Sequence, residues 1–313
     1  MADEVERGKG QPGHEAGCKQ AGTTVVRDER LSRFPRGHDK MTTETHRVAF
    51  YADLFYNSEL SPSYWVPPGD LDVEAVLLGG DIHYLPDQLG AMLEEIRATQ
   101  RPGTQIVMVP GNGEYIDQEL NQSRKEYKAA VERVPGTVFL DDETVTLPTG
   151  LRVIGSTLWS HVDEDQIDAY TRRLSDHGLR GVDNIRLDGR FLTLQDTNEL
   201  HDHARSFIEG QLRPLSRAER QRTLVCTHFW PTLRPWQLPD GSPVESIANW
   251  YQMVGTDMDS LITECGPGYW LCGHVHETQS VTIGETVVSS NPRAGDGPGH
   301  VNPEFAELYV IEV

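Results

Sequence analysis

Residues 75–110 read AVLLGGDIHYLPDQLGAMLEEIRATQRPGTQIVMVP, and this stretch decides the fold. Its two ends are short apolar runs rich in Val, Leu and Ile, which is typical of buried strands. Between them Leu89, Met92, Leu93 and Ile96 recur with the spacing of one helical face. Strand, helix and strand at this distance predict a parallel βαβ unit, because parallel strands need a long crossover connection.

Apolar β-rich runs and helical patterns alternate along the rest of the chain. Strands are predicted at 47–53, 137–140, 144–147, 151–158, 222–228, 269–273, 280–283, 286–290 and 305–313. The runs between 137 and 158 are separated by turn residues and fit an antiparallel hairpin region. Helices are predicted at 116–134 and 200–212, and the polar segment 161–193 is expected to place helices and loops over one end of the sheet. One α/β domain with two central sheets is the simplest arrangement.

The composition limits the domain organisation and the class of partner. Residues 1–45 lack hydrophobic periodicity and are predicted to form a disordered extension before a domain at 46–313, with Met41 as an alternative start. The 28 Lys and Arg residues against 48 Asp and Glu give a net charge of −20. Such a charge argues against general binding to nucleic acid or membrane surfaces, which both need a basic patch. Without a signal-like or membrane-spanning stretch, a cytoplasmic protein is expected.

Polar residues suited to metal binding follow five of the predicted strands. They are Asp53, Asp81, Asn112, His228, His274 and His276. Because α/β folds build their sites at the carboxyl ends of strands, oxygen and imidazole donors gathered there could hold two divalent ions.

Each of these residues has an ordinary alternative role when it is taken singly. An Asp after a strand, such as Asp53, is commonly a turn or helix-cap residue, and a lone His such as His228 is commonly a hydrogen-bonded core residue. His274 and His276 form a stronger signal, since alternate residues of an extended segment point to the same side.

Five short blocks together resemble the calcineurin-like metallophosphoesterases. They are AD (52–53), GGD (79–81), PGNGE (110–114), CTH (226–228) and GHVH (273–276). TLWS (157–160) and SNPR (290–293) are similar to segments of bacterial members of that family. The resemblance covers about residues 46–313. It implies an α/β fold, a four-layer α/β/β/α sandwich of two mixed β-sheets. It also implies a dinuclear Mn, Fe or Zn site that hydrolyses phosphomonoesters, phosphodiesters or phosphoanhydrides.

The same resemblance assigns roles to the strand-end residues. Asp53 and His276 would serve the first metal, Asp81 would bridge both metals, and Asn112, His228 and His274 would complete the second. Asp81, Asn112 and His228 are accordingly the expected catalytic centre, with metal-activated water as the nucleophile.

Two positions depart from the family pattern. Phe55 stands where the family has a metal-binding His, so the first metal site is expected to be weaker than the second. Gly113 stands where the family has a His assigned to proton donation or charge stabilisation. Losing a general acid typically costs about 10²- to 10⁴-fold in rate, least where the leaving group needs little protonation, as in an anhydride. Gly113 is also a candidate for opening space for a bulkier substrate.

Three further residues are candidates for contacting substrate. His83 lies two residues after Asp81 and is an alternative metal ligand; a solvent-exposed position at a helix entry is the competing interpretation. His161 and Arg293 follow or lie within the TLWS and SNPR segments, where either could bind a phosphate oxygen. Both are otherwise ordinary surface charges.

The leading hypothesis is a metal-dependent phosphohydrolase that acts on a small phosphorylated metabolite. Because two family histidines are replaced, a catalytically impaired binding or scaffold protein on the same fold remains an alternative. A metalloenzyme with an altered reaction is the third possibility. The substrate, the metal and the oligomeric state are left open by the sequence.

Overall fold

Two six-stranded sheets form the centre of the protein. The computed structural model describes residues 24–26, 45–54, 64–295 and 299–313. The first sheet has the order β1-β14-β2-β3-β4-β5, with β1 (Thr24–Val26), β2 (Arg47–Tyr51), β3 (Ala75–Gly79), β4 (Gln105–Val109), β5 (Thr137–Phe139) and β14 (Tyr309–Glu312). The second has the order β12-β13-β11-β10-β7-β6, with β6 (Glu143–Thr146), β7 (Arg152–Ser156), β10 (Thr223–Thr227), β11 (Tyr269–Cys272), β12 (Ser280–Ile283) and β13 (Thr286–Ser290).

Both sheets are mixed. In the first, β2 to β5 run parallel to one another, and β14 is antiparallel to β2. In the second, β7, β10, β11 and β13 are parallel, whereas β6 and β12 are antiparallel at the edges. The parallel strands of each sheet therefore end at one edge.

Helices cover the outer faces of the sheets. They are α1 (Pro86–Thr99), α2 (Leu120–Glu132), α3 (Ile167–Asp176), α4 (Leu194–Leu212), α5 (Arg217–Gln221), α6 (Tyr251–Val254) and α7 (Asp259–Cys265). One apolar core lies between the sheets, a second joins the first sheet to α1 and α2, and a third joins the second sheet to α4 and α7. Because alternate residues of a strand face opposite sides, strands buried on both faces are almost entirely apolar. The result is a four-layer α/β/β/α sandwich.

Local sequence signals account for where the main helices begin. Pro86 occupies the first turn of α1, where its missing N–H costs no hydrogen bond. Thr193 and Asp196 form a reciprocal capping box at the start of α4. The segment between α3 and α4 adds a short hairpin, β8 (Arg186–Leu187) with β9 (Arg190–Phe191).

The predicted βαβ unit and the four-layer fold are confirmed, and one prediction about strand pairing is wrong. β5 does not join the hairpin region but pairs parallel with β4 in the first sheet, and only β6 and β7 form the antiparallel hairpin. The chain crosses from one sheet to the other between β5 and β6. The turn residues at 141–142 serve equally well for a crossover, so the sequence could not separate the two cases.

The amino-terminal segment is described only in part. Within the extension predicted at 1–45, β1 pairs parallel with β14, and residues 1–23 and 27–44 lie outside the described residues. Among the residues that are described, no helix is both long and apolar enough to cross a membrane.

Candidate metal centre

The six strand-end side chains gather at one edge of the sandwich. The first sheet contributes Asp53, Asp81 and Asn112 after β2, β3 and β4, and the second contributes His228, His274 and His276 after β10 and β11. One donor atom from each of Asp53, Asp81 and His228 lies within 4.8 Å of the others, and all three residues are buried. Two sheets facing each other thus bring together donors from distant parts of the chain.

His228 lies at the centre of one half of this group. Its Nδ1 donates to the Gly79 carbonyl oxygen at 2.9 Å. Its Nε2 lies 3.4 Å from Asp81 Oδ1 and 3.1 Å from Asn112 Oδ1. A backbone bond at one ring nitrogen fixes the orientation of the other, which is the usual arrangement of a metal-binding imidazole.

His274 packs beside His228, with their ring centroids 5.1 Å apart. Its ring lies against Phe229 at 4.0 Å, and its Nε2 donates to the Met253 carbonyl oxygen at 3.2 Å. This bond leaves Nδ1 as the nitrogen with a free lone pair.

Asp53 and His276 form the other half. His276 Nε2 lies 3.7 Å from Asp53 Oδ1. Both carboxylate oxygens of Asp53 accept from the backbone N–H of His274 at 3.1 Å, which ties the end of β2 to the loop after β11. Of the described residues, fewer place a donor atom here than around His228.

Four of the six residues have a left-handed backbone. The φ angles are 54° at Asp53, 55° at Asp81, 74° at His274 and 58° at His276. Such conformations are uncommon for residues with a side chain and cost free energy, and they cluster at functional sites. Here they turn the chain sharply at the strand ends, which places the side chains at the rim.

The charges at the rim influence one another strongly. Burial raises the pKa of Asp53 well above its usual range. Burial would also raise the pKa of Asp81, but the adjacent His228 holds it below its ordinary value. For His228, burial opposes protonation, yet the Asp81 carboxylate raises the pKa to about 9. Burial and the neighbouring His228 lower the pKa of His274 to about 3.

This donor set fits divalent transition-metal ions. Two buried carboxylates lie side by side, and burying carboxylates is unfavourable unless positive charge compensates them. Carboxylate and amide oxygens together with imidazole nitrogens are ligands that Mn, Fe and Zn accept. Asp81, Asn112, His228 and His274 could hold one ion, and Asp53, Asp81 and His276 a second.

Glu114 supports this centre and was missed by the sequence reasoning. It is fully buried, and its two carboxylate oxygens accept four backbone N–H groups. Oε2 accepts from Asp81 at 3.0 Å and Gly111 at 2.7 Å, and Oε1 from Ile82 at 2.7 Å and His83 at 3.2 Å. Glu114 thereby joins the loops after β3 and β4. An acidic residue directly after Gly-Asn-Gly was the available signal.

Asp183 was also missed, because it lies in the weakly patterned segment 161–193. Its Oδ2 accepts from Asn112 Nδ2 at 3.0 Å. This bond orients the amide so that its oxygen faces His228. Burial raises the pKa of Asp183 to about 6. No sequence pattern connects residue 183 with residue 112.

Phe55 and Gly113 are the two positions that differ from the calcineurin-like pattern. Phe55 lies outside the described residues, and Gly113 lies next to Asp81. The backbone N–H of Gly113 donates to Asp81 Oδ1 at 2.7 Å. A Cβ built on Gly113 would lie 2.7 Å from the same oxygen, whereas real Cβ contacts essentially never fall below 3.0 Å. In this structure the missing side chain leaves room for the Asp81 carboxylate.

Two of the candidate substrate contacts, His83 and Arg293, are buried. His83 is buried, not solvent-exposed, and its Nδ1 accepts from the Leu85 backbone N–H at 3.0 Å. Arg293 is buried in the loop after β13, with its guanidinium 5.6 Å from the ring centroid of Trp65. The Arg293 backbone N–H donates to the carbonyl of Ala52, next to Asp53.

His161 belongs to a separate group near the start of α4. Its Nδ1 lies 3.7 Å from Asp202 Oδ1, and its ring centroid lies 5.6 Å from that of His201. One donor atom from each of these three residues lies within 4.8 Å of the others. His161 itself does not line the cavity beside the metal centre, although the preceding residue Ser160 does.

Comparison with known proteins supports the fold more strongly than any particular activity. The chain matches no known family profile. It is 23% identical over 218 residues to the uncharacterised protein L509 of Acanthamoeba polyphaga mimivirus. The aligned region covers 66% of this chain and 73% of the viral protein.

Two solved structures provide the structural comparison. Phosphopantetheinyl hydrolase (PptH) from Mycobacterium tuberculosis superposes with a TM-score of 0.59 and 12% identity, over 86% of this chain and 96% of that one. A dimetal phosphatase from Danio rerio gives a TM-score of 0.44 and 12% identity, over 82% and 90% of the two chains. The likeness to PptH is one of fold, a metallophosphoesterase-like arrangement of two mixed sheets between layers of helices.

Proposed function

We propose that this chain is a metal-dependent phosphohydrolase that acts on a small phosphorylated substrate. The observation that carries the proposal is the convergence of Asp53, Asp81 and His228 within 4.8 Å at a buried rim. Carboxylates and imidazole grouped in this way are typical of a divalent metal site. The likeness of the fold to that of a protein named as a hydrolase is consistent with the proposal.

Two Mn, Fe or Zn ions are the proposed cofactors. Asp81 would be shared, Asn112, His228 and His274 would complete one site, and Asp53 and His276 the other. When bound, such ions polarise a phosphoryl oxygen and make water a stronger nucleophile at neutral pH. The site around His228 is proposed to be the better formed, since more of the described donors lie there.

Hydrogen bonds from neighbouring groups orient the proposed ligands in the absence of substrate. The Gly79 carbonyl holds the His228 ring, Asp183 holds the Asn112 amide, and Glu114 holds the backbone of the Asp81 loop. Partners of this kind commonly change metal affinity or activity about 10- to 100-fold when they are removed.

Hydrolysis forms a bond from a water oxygen to phosphorus and breaks the bond to the leaving oxygen, which then takes up a proton. Gly113 offers no side chain for that proton transfer. Substrates whose leaving group is weakly basic, such as anhydrides and aryl esters, are therefore expected to react fastest.

Elemental analysis and an aryl phosphodiester assay test the proposal. Protein purified without chelators is expected to contain bound transition metal and to hydrolyse bis-p-nitrophenyl phosphate. Asp81→Asn should lose both properties. Asp72→Asn is the matched control, because the Asp72 side chain is 70% exposed and, among the described residues, bonds to surface arginines. Metal-free, inert wild-type protein, or full activity in Asp81→Asn, would contradict the proposal.

A further inference from the structure

A cavity of about 220 Å³ adjoins the candidate metal centre. Asn112 and His274 belong both to the cavity wall and to the proposed ligand set. The cavity begins where His274 packs on Phe229 and extends towards α3 and α6. Whatever is attached to a phosphoryl group at the metals therefore has this space next to it.

The cavity walls are mainly apolar. Trp159, Phe229, Trp250 and Met253 line it together with leucine and valine side chains. None of the described residues in the wall is Lys or Arg. The acidic residue in the wall is Asp183, whose carboxylate already accepts from Asn112. A second anionic group placed here would lose its hydration and gain no counter-ion, which is unfavourable.

On the opposite side of the centre, the described residues likewise offer no Lys or Arg side chain to a second anion. A wider hollow of about 520 Å³ borders His276 and contains Glu277 and Glu304. Its described lining residues also include no Lys or Arg. The described residues of both spaces beside the proposed metals therefore disfavour a polyanionic substrate. The smaller space, which is lined by aromatic and aliphatic side chains, favours binding of an apolar group.

We propose that the substrate is a phosphate ester with a single phosphoryl group whose alcohol carries an uncharged aromatic or branched apolar moiety, which occupies the 220 Å³ cavity. This inference rests on the proposed phosphohydrolase function. A cavity of about 150 Å³ lined by apolar side chains is large enough for benzene, so this one accommodates one ring or a small bicyclic group. The described residues of the same walls disfavour nucleoside polyphosphates and bisphosphorylated sugars.

Calorimetric titration of metal-loaded protein with phosphonates, which cannot be hydrolysed, tests the inference. The ligands are methylphosphonate, 1-naphthylmethylphosphonate and 2-carboxyethylphosphonate. The naphthyl compound is expected to bind about 10- to 100-fold more tightly than the methyl compound, from the burial of one aromatic group. The carboxyethyl compound, with its additional charge, is expected to bind more weakly than the naphthyl compound by at least that factor.

Variants of Met253, which lines the cavity, test whether the naphthyl group binds there. Met253→Trp places a larger side chain in the cavity, so the naphthyl group can no longer be buried there. The affinities for the naphthyl and methyl compounds should then differ by no more than about 3-fold. Met253→Ala enlarges the cavity and should retain a preference, which covers the case in which the tryptophan variant does not fold. Leu238→Ala is the control, since Leu238 is 46% exposed and does not line the cavity.

The outcomes separate this inference from the proposed function. Equal affinities for the methyl and naphthyl compounds, both lost in Asp81→Asn, would overturn the apolar subsite and leave the phosphohydrolase standing. Naphthyl preference that persists in a folded Met253→Trp variant would overturn the assignment to this cavity. Protein that binds neither metal nor any phosphonate would overturn the proposed function itself.

Discussion

Glu114→Gln is expected to destabilise the protein and weaken its metal binding together. The Glu114 carboxylate accepts four backbone N–H groups from the two loops that carry Asp81 and Gly111. Glutamine keeps one oxygen, so two of these donors retain an acceptor and two face an NH₂ group. Each buried donor without an acceptor costs about 1–3 kcal/mol, which gives about 2–6 kcal/mol in total. Domains are stable by only about 5–15 kcal/mol, so the loss is large.

Urea unfolding in the presence of a chelator measures this loss without a contribution from bound metal. With an m value of at least about 3 kcal/mol/M for a chain of this size, the midpoint should fall by at most about 2 M. Metal affinity, measured separately by competition with a chromophoric chelator, should fall about 10- to 100-fold because the Asp81 loop is no longer held.

The matched control for this experiment is Glu119→Gln. The Glu119 carboxylate also accepts backbone N–H groups, from Gln122 at 2.8 Å and Asp188 at 3.2 Å, but near the surface. Water can replace these bonds, so its loss should stay below about 1 kcal/mol. If Glu114→Gln cost no more than this control and bound metal normally, the assigned role of Glu114 would be refuted.

Three further predictions follow from other contacts. Gly113→Ala should lower metal affinity about 10-fold or more, because its Cβ would lie 2.7 Å from Asp81 Oδ1; unchanged affinity in chelator competition would show that the carboxylate moves aside at no cost. Asp183→Ala should lower metal affinity about 10- to 100-fold with little change in thermal stability, since it releases the Asn112 amide; a melting-temperature loss without an affinity loss would contradict this. The pKa of Asp196 lies below its usual range because its carboxylate accepts from a guanidinium and from the helix-cap threonine. Its ionised form therefore stabilises the fold most above about pH 5, and the advantage of wild type over Asp196→Asn should shrink as the pH falls below about 4. Urea unfolding at both pH values measures this difference, and a constant difference would contradict the reasoning.

Much of the fold was predictable because the strands of this sandwich are buried on both faces. β2, β3, β4, β10 and β11 are runs of apolar residues that can be recognised without knowledge of their partners. The pairing of β5 was not predictable, because a turn sequence does not state whether the next strand returns to the same sheet or crosses to the other.

The candidate site divides in a similar way. The strand-end positions of Asp53, Asp81 and His228 mark them in the sequence, and the structure brings them within 4.8 Å of one another. Their role as metal ligands stays a prediction until metal is measured. Glu114 is marked in the sequence only by its place after Gly-Asn-Gly, and Asp183 by no pattern, since each acts through a bond to a residue whose position depends on the folded loops.

By itself, the sequence determined the alternation of strands and helices, the two-sheet α/β class and the rim at which polar donors gather, since hydrophobic periodicity and strand ends are local properties. Only the tertiary structure decided which sheet each strand joins, which carboxylates hold the loops, and that an apolar cavity adjoins the rim. Those features arise from contacts between segments far apart along the chain, such as Asn112 with Asp183 and His274 with Phe229, and no local pattern encodes such contacts.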